Sequence, residues 1–444
     1  MNSRTHDGEG IPSRVIDLPT ARGDGISRRP EPGAPAGQAG QWAAGWRLAC
    51  LALGVVAAAV VVTTLSLRGL SFVNLDSLLA APLSFQALLV LPAALAPLLL
   101  AAATLPRTVL INLAILAGLI ASAEVAAWVL TPTPVAIHGE PEVLGGATFY
   151  VSDATLGYGL APSVVARHQR MVGDEKVYDV TYEIDDRGRR HTPTNPGPPR
   201  RSFLLLFGDS NTFGEGLGQT GTLSYYAGQL AAGHRPYNYG VPGYGPQHML
   251  ELVQGRRFAQ EVPEPEGYAV FFLIPAHIAR VIGSSKVSTG WGRHFPYYQV
   301  GSDGDLAATG DFVHGRPLTT LAYHFWNKSN LAAALDVDLP PRYTKQDYRL
   351  TARILAEGGH QLARQVRLHG FYVILGQAYN DPQLRVLQEL RDALAREGVP
   401  YLDYARLLDV RDPTYRISEF DAHNSATANR AIAARLVSDL RIAR

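Results

Sequence analysis

Three short clusters in this sequence hold residue types able to act together on a carbonyl group. The first, Phe207-Gly-Asp-Ser-Asn-Thr-Phe-Gly214, ends the apolar run 203–207, so Ser210 stands on a turn just past a buried strand. A serine hydroxyl there becomes a nucleophile once a base takes its proton, and its backbone N–H can face the same cleft. A helix N-cap is the other use of such a serine. The second cluster, Asn238-Tyr-Gly-Val-Pro-Gly-Tyr-Gly245, is rich in glycine. Glycines let backbone N–H groups come close to a ligand, as an oxyanion hole requires, although the same pattern suits an ordinary turn. The third, Phe420-Asp-Ala-His-Asn424, offers His423 as the base and Asp421 as the carboxylate that orients it. Asp-x-His also occurs in metal sites, but no further histidine or acidic cluster surrounds this one. The single cysteine, Cys50, excludes a thiolate cage. The chemistry requires no metal and no organic cofactor.

Such clusters work only if a scaffold brings them to one edge. Short apolar strands at 203–207, 236–239, 268–274, 371–375 and 401–404 alternate with helical stretches at 222–232, 246–260, 345–368, 382–397 and 426–442. This order predicts an α/β domain over 201–444, with a parallel sheet covered on both faces and ligands bound beyond the carboxyl ends of its strands. Residues 283–344 break the rhythm and predict a folded insertion over the active-site end. Its aromatics Trp291, Tyr297, Tyr298 and Trp326 suit core packing or a sugar platform. Residues 132–200 read as a spacer and a β-rich lead-in, with 177–184 alternating cleanly.

The first third is different. Residues 1–45 read as a disordered cytoplasmic arm, and 46–131 as a three-helix transmembrane region with spans at 48–67, 83–105 and 109–130. Arginines in the arm and Arg107 place those segments in the cytoplasm, so three spans carry the rest of the chain outside. Glu124 is the only charge of the third span and marks either an intramembrane functional site or a helix interface. Thr131-Pro-Thr-Pro134 predicts a stiff spacer leading away from the bilayer. A formal charge of +1 gives no basic footprint, which excludes nucleic acid as a partner.

Taken together, the clusters resemble those of the SGNH hydrolase superfamily, the GDSL-type esterases and acyltransferases, in a membrane-anchored bacterial form. The resemblance covers about residues 201–442. It implies a three-layer α/β/α flavodoxin-like domain, with Ser210 as nucleophile and first oxyanion donor, Gly243 as second donor, His423 as general base and Asp421 as its orienting carboxylate. Leu156-Gly-Tyr158 and Asp185-Asp-Arg-Gly188 are similar to the β-rich segment preceding this domain in many envelope members. The chain departs from the family pattern twice. Asp421 lies two residues before the histidine, where three is commoner. The asparagine expected after the third strand is replaced within Phe271-Phe-Leu-Ile-Pro-Ala-His-Ile-Ala-Arg280, leaving Ala276 or His277 at that place. His277 is then either a substitute oxyanion donor or a structural histidine. The implied activity is cleavage of acyl esters, acetyl esters first, outside the cytoplasm at the lipid bilayer. A cell-envelope polysaccharide is the expected substrate carrier. The alternatives are an O-acyltransferase acting on an envelope glycan with a membrane acyltransferase partner, and an inactive glycan-binding protein of the same fold.

Overall fold

A computed structural model of the chain describes residues 106–131, 136–195, 199–301, 304–376, 378–409 and 411–443. The expected arm, the spans at 48–67 and 83–105, and most of the Thr-Pro spacer lie outside these residues. The first described element is helix α1 (Arg107–Leu130). The lead-in then folds as strands β1 (Ile137–His138), β2 (Glu142–Val143), β3 (Tyr150–Asp153), β4 (Gly157–Leu160), β5 (Val165–Val172) and β6 (Glu175–Glu183). β5 and β6 pair antiparallel, with a register shift between Arg170 and Met171, while β3 and β4 form a separate hairpin. The alternation at 177–184 sends Tyr182 inward against Phe149 and Phe213. Arg190 locks this sheet to the main domain: its guanidinium lies 4.4 Å from the Tyr182 ring centre and 4.8 Å from that of Phe213.

The main sheet begins with β7 (Ser202–Gly208), which leads into α2 (Ser210–Phe213) and α3 (Leu223–Leu230). β8 (His234–Gly240), α4 (Pro246–Gly255), β9 (Glu266–Leu273) and α5 (His277–Ile282) follow. The insertion contributes the hairpin β10 (Pro296–Val300) and β11 (Leu306–Asp311) and, later, α6 (Asn330–Ala334). α7 (Lys345–Gln365), β12 (Arg367–Leu375), α8 (Asp381–Arg396), β13 (Tyr401–Asp403) and α9 (Ala426–Asp439) complete the domain. The five strands lie in the order β13-β12-β9-β7-β8, all parallel. Counted along the chain this is 2-1-3-4-5, the flavodoxin-like order, whose reversal point falls between β7 and β9.

The apolar run in β7 explains the three layers. Alternate side chains point to opposite faces of a strand. Phe203, Leu205 and Phe207 therefore pack with residues of α4, α7 and α8, while Leu204 and Leu206 pack with those of α3 and α9. All five are essentially without exposure, so the strand is apolar on both sides because both sides are covered. Within the insertion, the Tyr297 ring lies tilted against Phe312, Tyr298 is buried, and the Trp326 indole N–H donates to the Val337 carbonyl. Trp291 is half exposed.

Among the described residues no helix is long and apolar enough to cross a membrane. This corrects the third expected span, and Glu124 supplies the physical reason. Its carboxylate accepts the Ser329 hydroxyl and the backbone N–H groups of Asn330 (2.7 Å) and Leu331 (3.3 Å), capping α6 from outside. From Glu124 onward α1 is held by polar groups of the insertion. The part before it rises only about 25 Å at 1.5 Å per residue, short of a hydrocarbon core of about 30 Å. Glu124 is thus an interface residue between α1 and the insertion.

Candidate active site

β7 delivers the nucleophile through a tight turn. Gly208 has φ +152°, and a Cβ there would lie 2.2 Å from the Thr212 hydroxyl, so only glycine fits. Asp209, not Ser210, is the N-cap of α2, accepting the Asn211 N–H at 3.0 Å. Ser210 is the first helical residue, which corrects the cap reading and leaves its hydroxyl for other work. Its Oγ lies 2.7 Å from His423 Nε2. His423 Nδ1 lies 2.5 Å from Asp421 Oδ1, and the same oxygen accepts the backbone N–H of His423 at 2.9 Å. That double acceptance is an Asx-type turn, and it explains why a two-residue spacing suffices. One carboxylate oxygen serves both the turn and the ring.

The electrostatics follow from this arrangement. Burial alone would raise Asp421, but the His423 hydrogen bond outweighs it and holds the carboxyl below its ordinary range. Burial alone would lower His423; hydrogen bonding to Asp421 and the charges of Glu215 and Asp421 raise it instead. With an ionised Asp421 on Nδ1, the neutral ring carries its proton there, so Nε2 is the acceptor for the serine proton. The three residues form a nucleophile, a base and an orienter in hydrogen-bonded series.

The cleft beside Ser210, about 330 Å³, is lined by Arg170, Ile274, Ala276, Arg280, Tyr379 and Phe420 among others. Gly243 stands outside that lining, in a left-handed conformation (φ +87°), and a Cβ there would lie 2.3 Å from the Tyr158 hydroxyl. Among the described residues, the backbone N–H groups of Ser210 and Gly243 have no hydrogen-bond acceptor.

Of the two roles expected for His277, the ring takes the structural one and is not placed as an oxyanion donor. The ring is fully buried, its Nδ1 accepts the Ile274 N–H at 3.1 Å, and its Nε2 faces Asp209 Oδ2 at 3.4 Å. Burial lowers its basicity, so the ring is neutral and its one proton points at Asp209. Nothing is left for a substrate oxygen. Arg280, one helical turn beyond Ala276, borders the cleft instead. Its Nη1 donates to Asp209 Oδ2 and to the Tyr244 carbonyl, both at 2.7 Å. Burial would raise Asp209, yet Arg280 and His277 hold it far below the usual carboxylate range. The arginine's position four residues after Ala276 was the available sequence signal, since that spacing places both on one side of a helical turn.

Sequence reasoning also missed Glu215 and Arg170. Glu215 lies two residues past the end of α2, with its N–H on the Ser210 carbonyl at 3.0 Å. Its Oε2 lies 3.8 Å from His423 Nε2, while its Oε1 meets Arg170 Nη1 at 3.3 Å and the Tyr178 hydroxyl at 3.4 Å. Both partners come from the lead-in sheet, and the register shift after Arg170 occurs where that side chain enters the cleft. The charged groups acting on His423 are therefore Asp421, Glu215 and, more remotely, Asp209, with Arg170 behind Glu215. Glu215→Gln removes one negative charge beside the nitrogen that takes the proton. The acidic limb of kcat/KM should then move to lower pH, by about one unit. A limb that stays in place, or moves up, would show that Glu215 does not act on His423.

No family model and no curated protein sequence matches the chain. Among solved structures the outcome is different. The chain is similar to GDSL-type, or SGNH, esterases. An aryl esterase of M. smegmatis matches at 12% identity and TM-score 0.33, covering 55% of this chain and 100% of its own. A carbohydrate acetylesterase of Sinorhizobium meliloti matches at 10% identity and TM-score 0.31, with coverages of 54% and 98%. A G-D-S-L family protein of Veillonella parvula matches at 12% and 0.31, with coverages of 53% and 97%. At these scores the likenesses carry no argument, and the chemistry of the site is read from its own geometry.

Proposed function

We propose that the chain is a serine esterase of SGNH type that cleaves small acyl esters, acetyl esters first. The observation that carries this reading is the unbroken series Ser210 Oγ to His423 Nε2 (2.7 Å) and His423 Nδ1 to Asp421 (2.5 Å), opening on a cleft. In the first half-reaction Ser210 attacks the ester carbonyl as its proton passes to His423. The Ser210 N–H, with Gly243 as second donor, supports the oxyanion, and His423 returns the proton to the departing alkoxide. In the second, water attacks the acyl-enzyme with His423 again as base, releasing the acid and restoring the serine. A cleft of about 330 Å³ is at the small end for ligand sites, which favours a short acyl group. The intact triad argues against an inactive glycan-binding role. Incubation of the purified full chain with a fluorophosphonate probe tests the reading: one probe per chain, blocked by prior aryl acetate turnover inhibitors, is expected. An unlabelled protein without aryl acetate hydrolysis would overturn it.

The reading extends to location. The apolar blocks at 48–67 and 83–105 would hold the protein at a membrane; with the arm cytoplasmic, one crossing there leaves residues after 131 outside the cytoplasm and two crossings return them to it. A periplasmic-type reporter fused after Thr131 that is active keeps the envelope substrate in the proposal; an active cytoplasmic-type reporter at the same point removes it.

A further inference from the structure

The insertion holds a second group of chemistry-bearing side chains, separate from the triad. His294 precedes β10, Asp311 ends β11, and His314 lies three residues further on, so the two ends of one hairpin meet here. His294 Nδ1 lies 2.8 Å from Asp311 Oδ2, and His314 Nδ1 lies 2.8 Å from Asp311 Oδ1. One potential ligand atom from each residue falls within 4.8 Å of the other two. We propose that His294, Asp311 and His314 bind a divalent transition-metal ion of the zinc class, which closes the base of the β10–β11 hairpin.

The donor set argues for that class of ion. Two imidazole nitrogens and one carboxylate suit zinc and its neighbours, which take three protein ligands and complete the shell with water. Calcium and magnesium prefer shells built almost wholly of oxygen, which this group does not offer. The exposures fit as well: the Asp311 side chain is 17% exposed, while those of His294 and His314 are 40% and 62% exposed. The carboxylate is held in place from within, and the imidazoles leave the outer side open for entry and for water. Asp311 is additionally fixed as an N-cap, accepting the His314 N–H at 2.7 Å, so it is oriented before any ion arrives. Coordination through Nδ1 requires each neutral ring to carry its proton on Nε2, a change of tautomer with no net proton release. The ion replaces the two imidazole–carboxylate hydrogen bonds by three ligand bonds, and the hairpin ends stay joined. This proposal stands independently of the esterase reading, because none of its residues touches the triad.

The test uses the full chain in detergent, stripped with a chelator, dialysed and titrated with Zn²⁺ alone by calorimetry at neutral pH. Wild type is expected to take up one equivalent, and saturating Zn²⁺ to raise its melting temperature by about 5 °C. His314→Ala, at an exposed position, should fold normally and lose affinity by about 100-fold; Asp311→Asn should do the same if its melt is cooperative. No saturable uptake by wild type overturns the site, as does equal uptake by His314→Ala and His294→Ala. Ca²⁺ displacing Zn²⁺ at equal concentration overturns the assignment of ion class.

Discussion

Ser210→Ala is expected to lower ester turnover by about 10⁵-fold or more while the protein still folds. The triad members act as a unit, so removing the nucleophile leaves only what the oxyanion donors and binding supply. The structure explains why stability should hardly change. Asp209 already caps α2, so the substitution removes a hydroxyl whose main partner is His423. Losing that hydrogen bond costs about 1 kcal/mol at most. Aryl acetate hydrolysis, fluorophosphonate labelling and a thermal melt on the same preparation decide the matter. Retained turnover above one-hundredth of wild type would reject Ser210 as nucleophile. Lost turnover together with a collapsed melt would leave the chemistry to His423→Ala, which should be equally inactive.

The second large effect is expected in stability. Asp209 is wholly buried and bound by Arg280 at 2.7 Å, with His277 at 3.4 Å on the same oxygen. Asp209→Asn keeps the shape and the cap oxygen but strands the Arg280 charge in a mostly buried position. Breaking one side of a buried ion pair costs about 3–5 kcal/mol, which for a domain of this size is a drop of about 10 °C in Tm. The pH dependence has a definite sign. Asp209 is held far below its unfolded value near 3.9, so its contribution is fully present above about pH 4 and is lost only as acid is added below that. The deficit of the variant should therefore be constant from pH 5 to pH 8 and shrink only in acid. Removing both charges, in Asp209→Asn with Arg280→Met, should restore much of the loss. A single variant that melts with wild type at pH 7 would contradict the pairing.

What could be read from the chain, and what could not, divides along physical lines. β7 was legible because a strand covered on both faces must be apolar throughout, and the turn after it must place its side chains at the sheet's carboxyl edge. Asp421 and His423 were legible because two residues apart is close enough for local geometry to couple them. Glu215 and Arg170 were not, since 45 residues separate them and the sheet that joins them had no counterpart in the motif pattern. Asp209 and Arg280, 71 residues apart, escaped for the same reason. The two readings of His277 could not be separated in the sequence because a linear position does not give a direction: the ring folds back onto the Ile274 N–H and turns its other nitrogen inward. The ends of the helices shifted by a few residues from their expected limits, as fraying termini do.

The bond from Glu124 to the start of α6 has a consequence for the heading of the cleft. A helix joined to a domain through a loose linker turns freely against it. Here the last turns of α1 are fastened to the insertion itself, and Ala127 is buried at the same contact. The helix works as a bracket, so the mouth of the cleft keeps one heading relative to α1.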